Sequence, residues 1–379
     1  MKFMHLSDLH IGLKLISYDL AEDQMYIFGE IARLAALEKP DAIVIAGDLY
    51  DKSIPSAEAV ELFDSFLNAL TQAAPDAEIM MISGNHDSAV RVNIYRSLLK
   101  KQKVHMIGLP PRTPEEHIQK VVLHDQYGDV NFYLLPFVKP TTVRAVVSTV
   151  EEEGALSYDE SVRRLLAREE IDEDSRNVLV SHQFYVPRGV DPAQIERMDS
   201  EIRTVGNIDE VGADVLAPFD YAALGHIHKP MRAGSEYYRY CGTPLAVSVS
   251  EAGQQKGVLM VEMGQKGDVD VRVLPLTPLR QVRVIRGTLE EVLEEPSDDY
   301  VRVVLTDEID LDVIDMQTDL RKAFPHLLEI RRETERTADY SATVTAQEAL
   351  DPFGLCCSFL PDLSEEEKDI LRDVINTVM

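Results

Sequence analysis

Residues 42–48, Ala-Ile-Val-Ile-Ala-Gly-Asp, and 79–87, Ile-Met-Met-Ile-Ser-Gly-Asn-His-Asp, share one pattern: a short apolar run, then a small polar turn carrying a metal-competent side chain. Runs of this length bounded by turn formers read as buried strands. Outward from them the pattern recurs at 3–6 ahead of Asp8 and His10, at 178–180 ahead of His182, and at 221–224 ahead of His226 and His228. The intervals between the first three runs read as helices. Asp19 to Leu37 places Leu20, Ile27, Phe28, Ile31, Leu34 and Ala35 along one stripe, and Ser56 suits the N-cap of a second helix carrying Leu62, Phe63, Phe66, Leu67 and Leu70. Strands alternating with helices predict an α/β chain with parallel pairing. Side chains just past the carboxyl ends of such strands converge on one crevice.

Singly, each polar segment is explained as an ordinary strand-to-helix turn, because Gly, Asn and Asp accept the backbone conformations that turns need. Five such turns behind five strands, all bearing metal-competent residues, are not explained that way. Asp8, His10, Asp48, Asn85, His182, His226 and His228 combine imidazole and oxygen ligands without a thiolate, which suits Mn²⁺, Fe²⁺ or Zn²⁺ better than an all-oxygen ion such as Ca²⁺. Seven ligands exceed one ion's need when a position must stay open for substrate, and they divide over two ions sharing one carboxylate. Two divalent ions roughly 3.5 to 4 Å apart are therefore expected.

The motifs Asp8-Leu9-His10, Gly47-Asp48, Gly84-Asn85-His86-Asp87, His182 and Gly225-His226-Ile227-His228 resemble, in order, those of the calcineurin-like metallophosphoesterases. Within that superfamily, residues 219–230 (Phe-Asp-Tyr-Ala-Ala-Leu-Gly-His-Ile-His-Lys-Pro) and 240–245 (Tyr-Cys-Gly-Thr-Pro-Leu) are most similar to the SbcD-type nuclease subunits of bacteria. These are relatives of the meiotic-recombination nuclease that works with an SMC-like ATPase. The resemblance implies a four-layer α/β/β/α sandwich of two mixed sheets over 1–275 and a small α/β capping domain over 276–344 that guides DNA. It also implies a helical segment over 345–379 that binds the coiled coil of an SbcC-type ATPase, with Ile370, Leu371, Val374 and Ile375 as its apolar face.

The activity implied by the resemblance is Mn²⁺-dependent hydrolysis of DNA phosphodiesters, exonucleolytic on double strands and endonucleolytic on single strands or hairpins, in repair, recombination and replication. By analogy, Asp8, His10, Asp48 and His228 hold one ion and Asp48, Asn85, His182 and His226 the other, with a metal-bound hydroxide as nucleophile and Mg, Fe or Zn as substitute metals. His86 is then the catalytic histidine, and Asp87 a carboxylate that orients an imidazole. The family also implies a homodimer within a heterotetramer, formed through helices that include Tyr95, Leu98 and Leu99. Some archaeal and eukaryotic relatives carry a histidine three residues after the bridging Asp. Here Asp51 stands there, and its role stays open.

With 379 residues, 45% of them hydrophobic, the chain is long enough for two or three domains. No run approaches membrane-spanning length and the N-terminus lacks the succession of a secretory leader, so a cytoplasmic protein without a membrane anchor is expected. Cys241 and the adjacent Cys356 and Cys357 make no disulfide framework and fit a reducing compartment. A formal net charge of -28 argues against a freestanding DNA binder. The contrasting basic stretch, Arg321, Lys322, Arg331, Arg332 and Arg336, reads either as a phosphate contact or as a solvated face. Two other classes compete with a nuclease: a phosphatase or small-molecule phosphodiesterase on the same metal core, and a noncatalytic scaffold. Protein phosphatases of the superfamily carry Asp-Arg-Gly where this chain reads Asp51-Lys52-Ser53, and a complete ligand set argues against the scaffold.

Overall fold

Alternation along the buried strands sorts this chain into layers. In the computed structural model, which describes all residues except 95, 149–155, 193–194, 196–197, 202–208, 308–312, 334–363, 365–366, 369 and 372–379, four strands pair in parallel. They are β1 (Lys2–Leu6), β2 (Ala42–Ile45), β3 (Glu78–Ile82) and β4 (Val104–Ile107). A second sheet is built from β5 (Gln119–Asp125), β6 (Gly128–Leu135), β7 (Arg176–His182), β8 (Tyr221–Gly225), β9 (Met231–Arg232) and β10 (Tyr238–Tyr240). Its order is β9-β10-β8-β7-β6-β5, parallel inside and antiparallel at both edges. The chain then returns to the first sheet with β11 (Gly257–Met263), antiparallel to β1, and β12 (Val269–Pro275) beside it.

Successive side chains of a strand point to opposite faces. Phe3, Val44, Met80 and Ile82 meet Phe132, Val178, Val180 and Tyr221 between the sheets. There Phe3 packs edge-on against Phe132 and Tyr221 at 5.3 and 5.5 Å. The intervening Ile43, Ile45, Ile79 and Met81 face α1 (Ala21–Glu38) and α2 (Ala57–Ala73) through Ile27, Phe28, Ile31, Phe63, Phe66 and Leu70. On the far side, Tyr133, Leu135, Leu179 and Leu224 pack on α3 (Pro140–Val147) and α4 (Tyr158–Ala167). Helix, sheet, sheet, helix is the expected four-layer sandwich. Its inner strands are covered on both faces, which is why they read as unbroken apolar runs.

Local signals position the helices. Ser56 accepts a hydrogen bond from Ala59 N at 3.2 Å and starts α2 where the sequence indicated. α1 begins two residues later than expected, because Asp19 pairs with Lys14 in a short antiparallel ladder and its carboxylate accepts from Ala21 N. Beyond Pro278, β13 (Val282–Gly287), β14 (Tyr300–Leu305) and β15 (Leu327–Arg332) form a parallel sheet with α5 (Leu289–Leu293) and α6 (Val313–Ala323). This module has its own core of Val292, Val301, Val303, Leu320 and Phe324. Arg280 fastens it to the first turn of α1, reaching Asp23 at 3.0 Å and Glu22 at 2.8 Å, while the Tyr300 hydroxyl donates to Asp23.

The basic stretch is engaged locally: Lys322 pairs with Asp319 at 3.1 Å and Arg331 with Glu329 at 2.8 Å. Residues Met1–Glu333 form one compact unit and Thr334–Met379 a second. The segment expected to bind a coiled coil lies almost entirely outside the described residues, as do Tyr95, Arg336, Cys356, Cys357, Val374 and Ile375. Among the described residues, no helix is long and apolar enough to cross a membrane.

Candidate metal centre

The loops behind β1, β2, β3, β7 and β8 meet at one end of the two sheets. Among the described residues, seven non-glycine positions have left-handed φ, and four of them belong to the expected ligand set: Asp8 (53°), His10 (43°), Asp48 (50°) and His226 (101°). Such backbone costs roughly 1 to 3 kcal/mol per residue and persists where surrounding contacts over-determine it. Those contacts are present. Asp8 N donates to Gly47 O and His10 N to Asp48 O, each at 3.0 Å. His226 N reaches the Asp8 carboxylate at 3.1 Å, and His86 N donates to Asp48 Oδ1 at 2.9 Å. A Cβ at Gly84 would overlap the Asp48 carboxylate. Gly84→Ala is therefore expected to displace Asp48 and weaken divalent-ion binding by roughly tenfold or more, as for loss of a ligand's support. Calorimetric titration giving wild-type affinity would show that the turn has slack.

The expected ligand atoms gather in two overlapping groups around Asp48, and Asp8 also lies within 4.8 Å of Asp48 and His182. His10 Nε2 lies 3.1 Å from His228 Nε2, and Asp8, His10 and His228 offer ligand atoms within 4.8 Å of one another. Asn85 Oδ1 lies 3.0 Å from His182 Nε2 and 2.9 Å from His226 Nδ1. Asp48 Oδ2 stands between them, 3.8 Å from His10 Nε2 and 3.2 Å from His182 Nε2.

The donor chemistry fits a cation. Ala46 O can only accept, so His182 Nδ1, 2.7 Å away, carries a proton and Nε2 is the nitrogen turned to the oxygens of Asp48 and Asn85. A cation placed there would be met by that nitrogen and by the two oxygens. Burial disfavours a charged His182, yet Asp48 and Asp8 outweigh it and lift its pKa to about 9. Burial likewise opposes ionisation of Asp48, but His182, His10 and His86 outweigh it and hold its carboxyl below the usual range. Burial lifts Asp8 to about 6 and, with His228 beside it, keeps His10 well below the ordinary histidine value. The positive charge that Asp48 and Asp8 favour on His182 is one that a divalent cation would supply instead, and imidazole nitrogen with carboxylate oxygen is a donor set suited to a first-row divalent ion.

His86 sits at the rim, its ring 4.8 Å from that of His10, and its Nδ1 is 2.9 Å from the Asp51 carbonyl. His10, Asp48 and His86 also lie within mutual ligand reach. Asp87 departs from expectation. Rather than orienting an imidazole, its carboxylate accepts from the backbone N–H groups of Leu49, Tyr50 and Gly84 at 2.9 to 3.0 Å, so it ties the Asp48 loop to the Asn85 loop. Sequence reasoning missed Phe137, whose ring lies 6.3 Å from His182 and 6.4 Å from His226. It also missed Ser200, Glu251 and Lys256 behind His228. An aromatic, a serine and one more acid–base pair carry no local signal in a chain this rich in charge.

The calcineurin-like phosphoesterase family profile matches residues 1–230, and a profile described as the Type 5 capsule protein repressor C-terminal domain matches residues 278–360. Among curated proteins, the SbcD subunit of the nuclease SbcCD of Staphylococcus saprophyticus is 32% identical over 352 residues, covering 91% of this chain and 87% of that protein. Among solved structures, TT1561 of Thermus thermophilus covers 72% of this chain and 98% of its own at 13% identity, with a TM-score of 0.40. A dimetal phosphatase from Danio rerio covers 74% and 99% at 12% identity, also with a TM-score of 0.40. Matched by the phosphoesterase profile over residues 1–230 and by the staphylococcal nuclease protein along most of its length, the chain belongs to the calcineurin-like phosphoesterases and, within them, to the SbcD family of nuclease subunits.

Proposed function

We propose that this chain is the nuclease subunit of an SbcCD-type complex, hydrolysing DNA phosphodiesters as a double-strand exonuclease and a single-strand or hairpin endonuclease. The observation that carries the reading is the Asp48 carboxylate shared between two ligand groups, one around His10 and His228 and one around Asn85, His182 and His226. Asp8, His10, Asp48 and His228 hold one Mn²⁺, and Asp48, Asn85, His182 and His226 the second. When bound, such a pair of ions supplies an activated water and neutralises charge on the phosphate. His86 donates its Nδ1 proton to the Asp51 carbonyl, which leaves Nε2 to exchange a proton with the leaving sugar oxygen. That contact uses only backbone at position 51, so a carboxylate side chain there is no obstacle to it.

In this reading 1–275 is the catalytic domain, 276–344 caps it and guides DNA, and 345–379 binds the coiled coil of an SbcC-type ATPase in the cytoplasm. The ATPase supplies much of the attraction for DNA that a net charge of -28 withholds. A homodimer forms through the helical segment after β3, where Val90, Ile94 and Leu98 recur at four-residue spacing and are exposed by 64, 48 and 62%.

The test is to incubate the purified chain with Mn²⁺ and linear duplex, hairpin DNA, an aryl phosphodiester and a phosphomonoester, with and without the coiled-coil ATPase. Cleavage of both DNA substrates is expected. Turnover of phosphomonoesters alone would establish the phosphatase alternative instead.

A further inference from the structure

Behind His228 runs a buried chain of polar groups that the proposed reaction leaves without a part. His228 Nδ1 lies 2.8 Å from Ser200 Oγ, and that hydroxyl donates to Glu251 Oε1 at 3.1 Å. Glu251 Oε2 pairs with Lys256 Nζ at 2.6 Å, and Thr243 Oγ1 donates to the same oxygen at 3.0 Å. Lys256 also donates to the carbonyl of His228 itself, at 3.2 Å. Glu251 is 1% and Lys256 5% exposed.

We propose that the buried Glu251–Lys256 pair, acting through the Ser200 hydroxyl, positions His228 and sets the affinity of the ion that His228 helps to hold. The inference rests on the two-ion reading above. A serine hydroxyl has one proton; donated to Glu251, it leaves Oγ to accept from His228 Nδ1–H. The lone pair of His228 is thereby fixed on Nε2, the nitrogen that faces His10. An anion relayed to the far side of a ligand imidazole raises its basicity and locks its ring. Lys256 compensates the Glu251 charge and donates to the His228 carbonyl, while the His228 N–H is held separately by Glu201 at 3.0 Å. His182, by contrast, leans on the neutral Ala46 carbonyl. A buried ion pair is a poor source of stability, because desolvation consumes most of its attraction. A positioning role accounts for a pair kept this close to a ligand.

The test is Mn²⁺ titration by calorimetry and electron paramagnetic resonance on the full chain, comparing wild type with Ser200→Ala, Ser200→Thr, Glu251→Gln and the double variant Glu251→Gln/Lys256→Met. Wild type is expected to take two ions with a spin-coupled spectrum. Ser200→Ala and both Glu251 variants should weaken one of the two ions by roughly 10- to 100-fold, the usual effect of losing such a partner. At ion concentrations between the two constants they should give the six-line spectrum of isolated Mn²⁺. Ser200→Thr, which keeps the hydroxyl, should restore the coupled signal. Ser200→Ala leaves the ion pair in place, so its melting temperature should stay near wild type even if the Glu251 variants fold poorly. Unchanged constants in Ser200→Ala, or equal weakening of both ions, would overturn the inference. If wild type takes only one ion, the two-ion reading fails separately, and the inference then stands or falls on whether Ser200→Ala weakens that ion.

Discussion

Asp48→Ala is expected to remove both ions at once and to cut phosphodiester turnover below roughly a thousandth of wild type, since Lewis-acid stabilisation of a phosphoryl transition state is worth several kcal/mol. Asp48 stands between the two groups, its Oδ2 3.8 Å from His10 and 3.2 Å from His182, with Asp8 also in reach of His182. Asp48 also anchors the neighbouring loop by accepting from His86 N at 2.9 Å. Asp48→Asn separates the two contributions, because the amide oxygen can still accept that hydrogen bond while the negative charge is gone. It should keep the fold and lose the ions. Elemental analysis of dialysed protein measures this directly. Two ions per chain in Asp48→Ala would mean that the bridge lies elsewhere in the crevice.

How much of this was legible in the sequence depends on where each residue's signal resides. The α/β alternation and the burial of its strands were legible, because Ile43 and Val44, or Ile79 and Met80, are apolar on both faces, whereas the four layers came from the family resemblance. All seven expected ligands came together because each lies at or just past the carboxyl end of a strand, His182 being the last residue of β7. β15 was not foreseen: Leu327-Leu-Glu-Ile-Arg-Arg mixes charge with apolar residues, and its pairing with β14 is a tertiary fact with a register shift at Val301. Asp87 was assigned the wrong task for a related reason. Its place beside His86 suggested an imidazole partner, whereas the folded loop presents it with three backbone donors from two separate turns. Glu251 and Lys256 illustrate the general limit. Five residues apart in a chain with 66 acidic side chains, they are visible as a pair only once His228, more than twenty residues earlier, is seen to lie against them.

His86→Ala should leave both ions bound and lower turnover by roughly 10²- to 10⁴-fold, the range that a positioned proton-transfer group contributes. His86 is held to its rim position by the Asp51 carbonyl at 2.9 Å and by its own N–H on Asp48, while Asp8, Asn85, His182, His226 and His228 keep their contacts without it. Its ring nonetheless lies within ligand reach of His10 and Asp48, so a competing outcome is well defined. If His86 serves as a ligand, alanine should weaken one ion, and excess Mn²⁺ should restore part of the activity. If it transfers a proton, no amount of Mn²⁺ restores the rate. Substrates with better leaving groups should then recover it selectively, because an aryl oxide departs without needing a proton. Comparing an aryl phosphodiester with duplex DNA in His86→Ala, across a Mn²⁺ titration, therefore decides the role. Equal losses on both substrates that vanish at high Mn²⁺ would assign His86 to the ligand shell.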